Sequence, residues 1–120
     1  MQKNTVVLGA STNPSRYSNM AVKLLIKHDI PVFPVGIKKG EINGKNITDQ
    51  LPADKPIHTV TLYLNAKRQE QYYEAILKLK PRRVIFNPGT ENPSWAQELE
   101  NNDINTVERC TLVMLNSGQF

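Results

Sequence analysis

Short apolar runs recur along the chain and predict five β-strands. Each run is only four to six residues long, too short for a typical helix, and β-branched residues are frequent in it. Pro34 stands inside the second run and cannot donate to a strand ladder, which favours an irregular or edge-like strand there. The predicted strands cover residues 4–9, 32–36, 59–64, 83–86 and 104–107.

Apolar residues at helical spacing separate most of these runs. Helices are predicted over residues 18–28, 66–79, 93–101 and 111–116, with N-caps at Ser18, Asn65 and Asn92. Spacings of i, i+3 and i+4 place apolar residues on one face of each helix. The residues expected to face the sheet are Ala21, Leu24 and Leu25 in the first helix, Tyr72, Ala75, Ile76 and Leu79 in the second, and Trp95, Ala96 and Leu99 in the third.

The connection between the second and third strands lacks a full helix. Asn43-Gly44 between apolar residues predicts a tight hairpin over residues 41–47, and the two prolines in 48–56 indicate a loop. Elsewhere strands alternate with helices, which implies a mainly parallel sheet covered on both faces. We therefore predict an α/β, Rossmann-like three-layer sandwich with five strands in the order 3-2-1-4-5.

The segment Thr5–Ser18 predicts a buried strand, a loop of small residues and the start of a helix. Gly9, Ala10 and Ser11 allow another molecule to approach the backbone, and Asn13-Pro14 indicates a turn. Free N–H groups and the helix dipole favour an anion at such a helix start. The loop is expected beyond the carboxyl ends of the strands, where their order reverses.

The same segment departs from the dinucleotide fingerprint Gly-x-Gly-x-x-Gly. Ser11 and Pro14 stand where the second and third glycines are needed, which disfavours standard NAD binding. An NAD site also needs an acidic residue after the second strand, where this chain has Lys38 and Lys39. Lysine suits a phosphorylated ribose, which both CoA and NADP carry. These residues therefore leave CoA and NADP open.

Length, charge and composition limit the classes of protein to which this chain can belong. The 120 residues fit one domain spanning 1–120, and the net charge of +4 comes from scattered or paired Lys and Arg. Without a dense basic stripe, nucleic-acid binding is disfavoured, whereas a polyanionic small ligand suits this charge. A single cysteine excludes an internal disulfide framework, and no apolar run approaches the ~20 residues of a membrane span. We expect a cytoplasmic protein.

The stretch Val7-x-Gly-Ala-Ser-x-Asn-Pro-x-Arg-x-Ser18 resembles the opening motif of the small CoA-binding domain proteins. That family is related in fold to the nucleotide-binding domain at the start of the succinyl-CoA synthetase α subunit. The segment Val32–Lys38, the Gly44-Lys45 hairpin and Arg109-Cys110 are also similar to the family pattern. The resemblance covers nearly the whole chain.

The resemblance implies a ligand, coenzyme A or an acyl-CoA, and its contacts. The first loop would cradle the pyrophosphate, Lys38 would contact the ribose phosphate, and the thiol or acyl end would point towards Cys110. The implied binding residues are Gly9, Ala10, Ser11, Asn13, Pro14, Arg16, Ser18, Val35, Gly36, Lys38, Tyr63, Leu64, Asn87, Pro88, Gly89 and Cys110.

Several of these residues also have purely structural interpretations. Tyr63 and Leu64 suit core packing, and Asn87-Pro88-Gly89 suits a tight turn. Cys110 suits either an inert, buried small hydrophobe or an exposed thiol that forms a mixed disulfide with CoA. The residues alone do not choose between these interpretations.

No catalytic or metal-binding arrangement is predicted. His28 and His58 lack ligand partners at suitable spacing, and no Ser-His-Asp set or Walker loop is found. The synthetase relatives use a phosphorylated histidine of a further domain, so their activity is not implied here. The leading hypothesis is CoA binding without catalysis. The alternatives are an NADP-binding or redox-sensing module, a CoA-thioester enzyme using Cys110, and a scaffold with a vestigial site; a protein partner or homodimer stays open.

Overall fold

Helices separate most of the strands of the parallel sheet in the computed structural model, which describes residues 3–120. The strands are β1 Thr5–Leu8, β2 Val32–Val35, β3 Gly40–Ile42, β4 Lys45–Ile47, β5 Thr59–Leu62, β6 Arg83–Phe86 and β7 Asn105–Glu108. The helices are α1 Tyr17–Lys27, α2 Ala66–Gln69, α3 Tyr73–Leu79, α4 Pro93–Asn101 and α5 Thr111–Asn116. All five predicted strands and the hairpin are present.

A five-stranded, all-parallel sheet forms the centre of the molecule. Its order is β2-β1-β5-β6-β7, and β1 pairs with β2 and β5 through Thr5↔Val32 and Thr5↔Thr59. Successive side chains point to opposite faces, so each strand contributes to two apolar layers. The predicted Rossmann-like α/β class is confirmed.

The predicted strand order is wrong in one respect. Counting only the five parallel strands along the chain, the order is 2-1-3-4-5 rather than 3-2-1-4-5, because β5 pairs with β1 instead of lying beyond β2. The free edge of β2 is occupied by the segment that follows the hairpin. Gly36 N–H donates to Thr48 O at 2.9 Å and Thr48 N–H donates to Pro34 O at 3.1 Å. The order reverses between β1 and β5, which is where sheets of this class bind ligands.

The hairpin of β3 and β4 has the turn that its sequence predicts. Asn43 and Gly44 both have positive φ angles, 47° and 87°, as a type I′ turn requires. The pairing Gly40↔Ile47 closes the two-stranded sheet, and Ile42 and Ile47 bury their side chains. β2 is the edge strand of the parallel sheet, as Pro34 indicated.

The apolar core lies on both faces of the sheet. Helices α1 and α5 cover one face and α3 and α4 cover the other. On the first face the buried residues include Val7, Val22, Leu25 and Leu115. On the second they include Val60, Leu62, Ile76, Phe86, Trp95 and Leu99.

Three helix details differ from the sequence prediction. The predicted helix over 66–79 is interrupted by a 3₁₀ turn at Glu70–Tyr72, and Ala75 is exposed rather than sheet-facing. Ser18 lies inside the first turn of α1 and is buried, so it is not the N-cap; Arg16 occupies that position. Asn65 caps α2 as predicted, because its Oδ1 accepts from Arg68 N–H at 2.9 Å.

Candidate functional site

The carboxyl ends of the five parallel strands meet at one edge of the sheet, and every predicted binding residue lies there or in the first turn of α1. All strands of a parallel sheet run in the same direction, so the loops that follow them lie at one edge even though they are far apart in sequence. The loops are residues 9–16 after β1, 36–39 after β2, 63–65 after β5, 87–92 after β6 and 109–110 after β7.

Small residues allow the first three strand ends to pack closely. Gly9 has φ +97°, and a Cβ there would lie 3.1 Å from the Tyr63 carbonyl carbon. A Cβ on Gly36 would lie 2.5 Å from the Ala10 carbonyl oxygen. The N–H groups of Gly9 and Ala10 both donate to Val35 O, at 2.8 and 2.9 Å. These contacts hold the loop after β1 against the ends of β2 and β5.

The loop between β1 and α1 is ordered by its own side chains. Asn13 Oδ1 accepts from Ser15 N–H at 3.0 Å and from Ser15 Oγ at 2.7 Å, while Ser11 Oγ accepts from Asn13 N–H at 3.1 Å. Asn19 Nδ2 donates to Ser11 O at 2.9 Å and ties the loop to α1. Pro14 is exposed at the tip of the loop.

The start of α1 is suited to an anion. Its first-turn N–H groups have no acceptors within the helix, and no acidic residue lies in that turn. Arg16, Lys38 and Lys39 are exposed in the loops after β1 and β2. The two loops are neighbours, since Gly36 lies against Ala10, and positive charge there favours phosphate groups.

Asn87 joins three of the strand ends from within. Its Nδ2 donates to Thr61 Oγ1 at 2.7 Å and to Leu62 O at 2.8 Å, and its Oδ1 accepts from Thr111 N–H at 2.8 Å. The Thr61 and Thr111 hydroxyls are 2.7 Å apart. The Asn87 amide is therefore used inside the fold, and its side chain positions the loops around the crevice.

A second buried network was missed by the sequence reasoning. Gln69 Nε2 donates to Leu64 O at 2.8 Å and to Thr90 O at 2.7 Å, and Gln69 Oε1 accepts from Asn92 Nδ2 at 3.0 Å. Asn92 occupies the N-cap position of α4, but its side chain makes no capping bond to the helix. The sequence carries no local signal for this network, because Gln69 bonds to residues of the loop after β6.

The remaining predicted residues border the crevice with different exposures. Pro88 and Gly89 are exposed, and Gly89 has φ +91° with its N–H bonded to Glu91 Oε1 at 2.9 Å. Leu64 packs against the core. Cys110 is a free, partly exposed thiol at the N-cap of α5. The structure thus places the Cys110 thiol at the same edge of the sheet as the loop after β1.

Tyr63 is largely buried beside the threonines of the Asn87 network. Its N–H donates to Leu8 O at 2.9 Å, and its ring packs on the α1 and α5 face. Burial raises the pKa of Tyr63 to about 12, so the group stays protonated at neutral pH. The neighbouring Thr111 and Thr61 hydroxyls lower this pKa, but burial outweighs them.

Two cavities lie away from this crevice. One of about 450 Å³ is lined by Lys3, His28 and Phe120 at the amino edge of the sheet, and one of about 340 Å³ lies beside Phe33 and Thr48. Within residues 3–120 no group of three or more His, Cys, Asp or Glu side chains is placed to hold a metal ion. None of the helices described there is long and apolar enough to cross a membrane.

Solved structures share this fold over the full chain. A crystal structure of an uncharacterized protein is 47% identical, with a TM-score of 0.96 and coverage of 100% of this chain and 99% of that one. A hypothetical protein from Pyrococcus horikoshii OT3 is 27% identical, with a TM-score of 0.86 and coverage of 97% and 82%.

A more distant likeness concerns a much larger protein. The dinucleotide-forming acetyl-coenzyme A synthetase 1 of Ca. Korarchaeum cryptofilum matches with a TM-score of 0.75 and 12% identity, over 89% of this chain and 25% of that one. At that identity the likeness concerns the fold alone. No curated protein matches the chain.

The sequence profile of the CoA binding domain matches residues 3–116, which is nearly the whole chain. The matched region includes the loop after β1, the basic residues after β2 and the Cys110 position. This chain belongs to the CoA binding domain family.

Proposed function

We propose that this protein binds coenzyme A or an acyl-CoA at the carboxyl edge of the sheet without catalysing a reaction on it. The observation that carries the proposal is the start of α1, which lacks an acidic residue and follows Arg16, while Lys38 and Lys39 are exposed in the neighbouring loop after β2. A pyrophosphate and a ribose phosphate need this combination of free N–H groups and positive charge. Membership of the CoA binding domain family favours CoA over NADP.

Each part of the ligand then has a protein counterpart. The pyrophosphate lies on the loop after β1, where Ser11 Oγ has a proton to donate and Arg16 supplies charge. Lys38 contacts the 3′-phosphate of the ribose. The pantetheine arm crosses the ends of β5 and β6 towards Cys110, which is partly exposed at that edge.

Two side chains of the crevice support a binding role without catalysis. Asn87 is consumed by hydrogen bonds within the fold, and Tyr63, with its raised pKa, is a poor general base at neutral pH. We therefore propose a role in sensing, buffering or delivering CoA or an acyl-CoA. A CoA-thioester enzyme with Cys110 as nucleophile is the alternative that a turnover assay of Cys110→Ala addresses.

The test is a calorimetric titration of the reduced protein with CoA, 3′-dephospho-CoA, NADP and NAD. We expect CoA to bind best. Lys38→Ala should weaken CoA binding by ~1–2 kcal/mol, the size of a charge-assisted contact. Binding of 3′-dephospho-CoA should be nearly unchanged, because that ligand lacks the contacted phosphate. Lys78→Ala, an exposed lysine on α3, is the matched control and should change neither affinity.

The other outcomes each favour a different function. Tightest binding of NADP would favour an NADP-binding or redox-sensing module. Binding of none of the four ligands would indicate a vestigial site and a scaffold role. Equal losses for CoA and 3′-dephospho-CoA in Lys38→Ala would contradict the assignment of Lys38 to the 3′-phosphate.

A further inference from the structure

The outer side of β7 has one of its N–H groups occupied by a side chain. β7 is the last strand of the parallel sheet and pairs only with β6. Glu100 of α4 accepts at Oε2 from Thr106 N–H at 2.7 Å and from Thr106 Oγ1 at 2.8 Å. The open side of an outer strand is a template for pairing with another chain, and native proteins commonly block it. The Glu100 carboxylate takes the place that a carbonyl oxygen of a further strand would occupy.

The pairing of β7 with β6 determines which backbone groups point outwards. Asn105 N–H donates to the carbonyl oxygen of Arg82, directly before β6, at 3.0 Å. Along a strand, the backbone groups of successive residues point to opposite sides. Val107 therefore also faces β6, whereas the N–H and C=O groups of Thr106 and Glu108 face away from it. These are the two residues through which β7 can pair with another chain.

The same two residues suit an antiparallel pair with a second copy of β7. Around a twofold axis at Val107, Thr106 of each copy lies opposite Glu108 of the other, and each such pair exchanges two N–H···O bonds. The partly exposed Val107 side chains of the two copies then lie opposite each other, which is a favourable apolar contact across strands. This pairing needs the Thr106 N–H group that Glu100 holds.

We propose that the outer side of β7 is a pairing surface for a second copy of this chain and that Glu100 keeps it closed. The carboxylate acts in two ways. It accepts from the N–H group of Thr106, and its negative charge opposes the arrival of Glu108 of a second copy beside Thr106. The inference does not depend on the proposed binding of CoA, because the crevice lies at the carboxyl ends of the strands and not along the side of β7.

Sedimentation equilibrium of wild type and Glu100→Ala tests the inference, with the dissociation constant of the dimer as the readout. A dimer uses two Thr106 N–H groups, and release of each from Glu100 favours pairing about fivefold, the size of one hydrogen bond. We therefore expect the constant of Glu100→Ala to be about 25-fold lower than that of wild type. Glu98→Ala, which removes another exposed glutamate of α4, is the matched control and should have the wild-type constant.

Two further variants identify the cause and the surface. Glu100→Gln keeps an acceptor oxygen without the charge, so its constant should lie between those of wild type and Glu100→Ala. Glu100→Ala combined with Glu108→Pro should return the constant to the wild-type value. Proline at 108 removes the other outward N–H group that pairing needs and leaves the bonds to β6 intact.

Amide hydrogen exchange measures the Glu100 bond directly. At concentrations where the chain is monomeric, Thr106 N–H should exchange about fivefold faster in Glu100→Ala than in wild type, because its acceptor is gone. The exchange of Asn105 N–H, which donates towards β6, should be unchanged and serves as the internal control.

Three results would overturn the inference. Equal dissociation constants for wild type and Glu100→Ala, or no association of either at the highest soluble concentration, would show that Glu100 does not close this surface. Association of Glu100→Ala that persists with proline at 108 would assign the contact to another surface. Equal exchange of Thr106 N–H in the two proteins would show that the bond to Glu100 does not protect it. Failure of CoA to bind would overturn the proposed function and leave this inference standing.

Discussion

Gly36 determines how closely the loops after β1 and β2 approach each other. A Cβ at this position would lie 2.5 Å from the Ala10 carbonyl oxygen, which is backbone and cannot turn aside. Gly36→Ala should therefore push the two loops apart. We expect the free energy of unfolding to fall by ~1–3 kcal/mol and CoA affinity to fall at least about tenfold, because the anion-binding loop is displaced. Urea unfolding and calorimetry measure the two effects.

Gly44→Ala separates crowding from backbone strain. Gly44 has φ +87°, but no atom lies within 4 Å of its would-be Cβ, so alanine meets only the cost of a left-handed conformation. That cost is about 1–2 kcal/mol of stability. The turn is exposed and contains no predicted binding residue, so CoA affinity should be unchanged. Equal CoA affinities for Gly36→Ala and Gly44→Ala would contradict the role given to Gly36.

At the level of elements, local sequence patterns were sufficient to predict which strands and turns form, but not the order of the strands in the sheet. Apolar runs such as 83–86 and the Asn43-Gly44 turn carry their signal within a few residues, and those elements are present. The pairing of β5 with β1 is a contact between distant segments that no periodicity records. The order 2-1-3-4-5 is the other common order of doubly wound parallel sheets, and local patterns do not distinguish the two orders.

The sequence was also sufficient to predict which loops meet at the candidate site. Strand ends in a parallel sheet converge whatever their order, so Gly9, Lys38 and Cys110 reach one edge even though β5 was misplaced. The buried amides of Gln69 and Asn19 were not predicted. Their roles depend on which carbonyl or hydroxyl lies opposite, and helical spacing alone does not reveal that.

Asn87 connects three elements, and its removal should act on all of them. Asn87→Ala leaves Thr111 N–H, Leu62 O and Thr61 Oγ1 without their buried partner. Buried groups that lose a partner cost more than the bond itself contributes, so we expect a loss of ~2–4 kcal/mol in the free energy of unfolding. Asn46→Ala, at an exposed position of β4, is the control and should stay within about 0.5 kcal/mol of wild type in urea unfolding. A loss below about 1 kcal/mol for Asn87→Ala would contradict the network.

Over the whole molecule the two edges of the sheet have different roles. The carboxyl edge carries the crevice, whereas the amino edge gathers positive charge around Phe120. Lys3 Nζ and Arg83 donate to Phe120 O at 2.8 and 2.9 Å, and the Arg83 guanidinium lies 4.4 Å from the centre of the Phe120 ring. His58 adjoins this group through Thr59, whose hydroxyl also accepts from Arg83. The positive charges of Lys3 and Arg83 thus lie at the opposite edge of the sheet from those that we assign to the ligand.

This arrangement predicts how stability depends on pH. The pKa of His58 is lowered from its ordinary value of 6.5, first because burial disfavours the charged ring and then because Arg83, Lys3 and Arg82 repel it. Between the folded and unfolded pKa values the unfolded chain binds more protons, so acidification favours unfolding. The contribution is fully present above about pH 6.5 and is lost as the pH falls through the lowered pKa.

Urea unfolding of the ligand-free protein at pH 7.5, 6.5 and 5.5 measures this dependence. We expect the wild-type midpoint to fall between pH 6.5 and 5.5 and His58→Gln to reduce that fall, because glutamine acquires no charge. Arg82→Gln removes one of the repelling charges and should also reduce it, to a smaller extent, since Arg82 is the weakest of the causes. An identical fall in wild type and His58→Gln would assign the acid sensitivity to other groups. The groups at the amino edge would then contribute to packing and not to the pH dependence of stability.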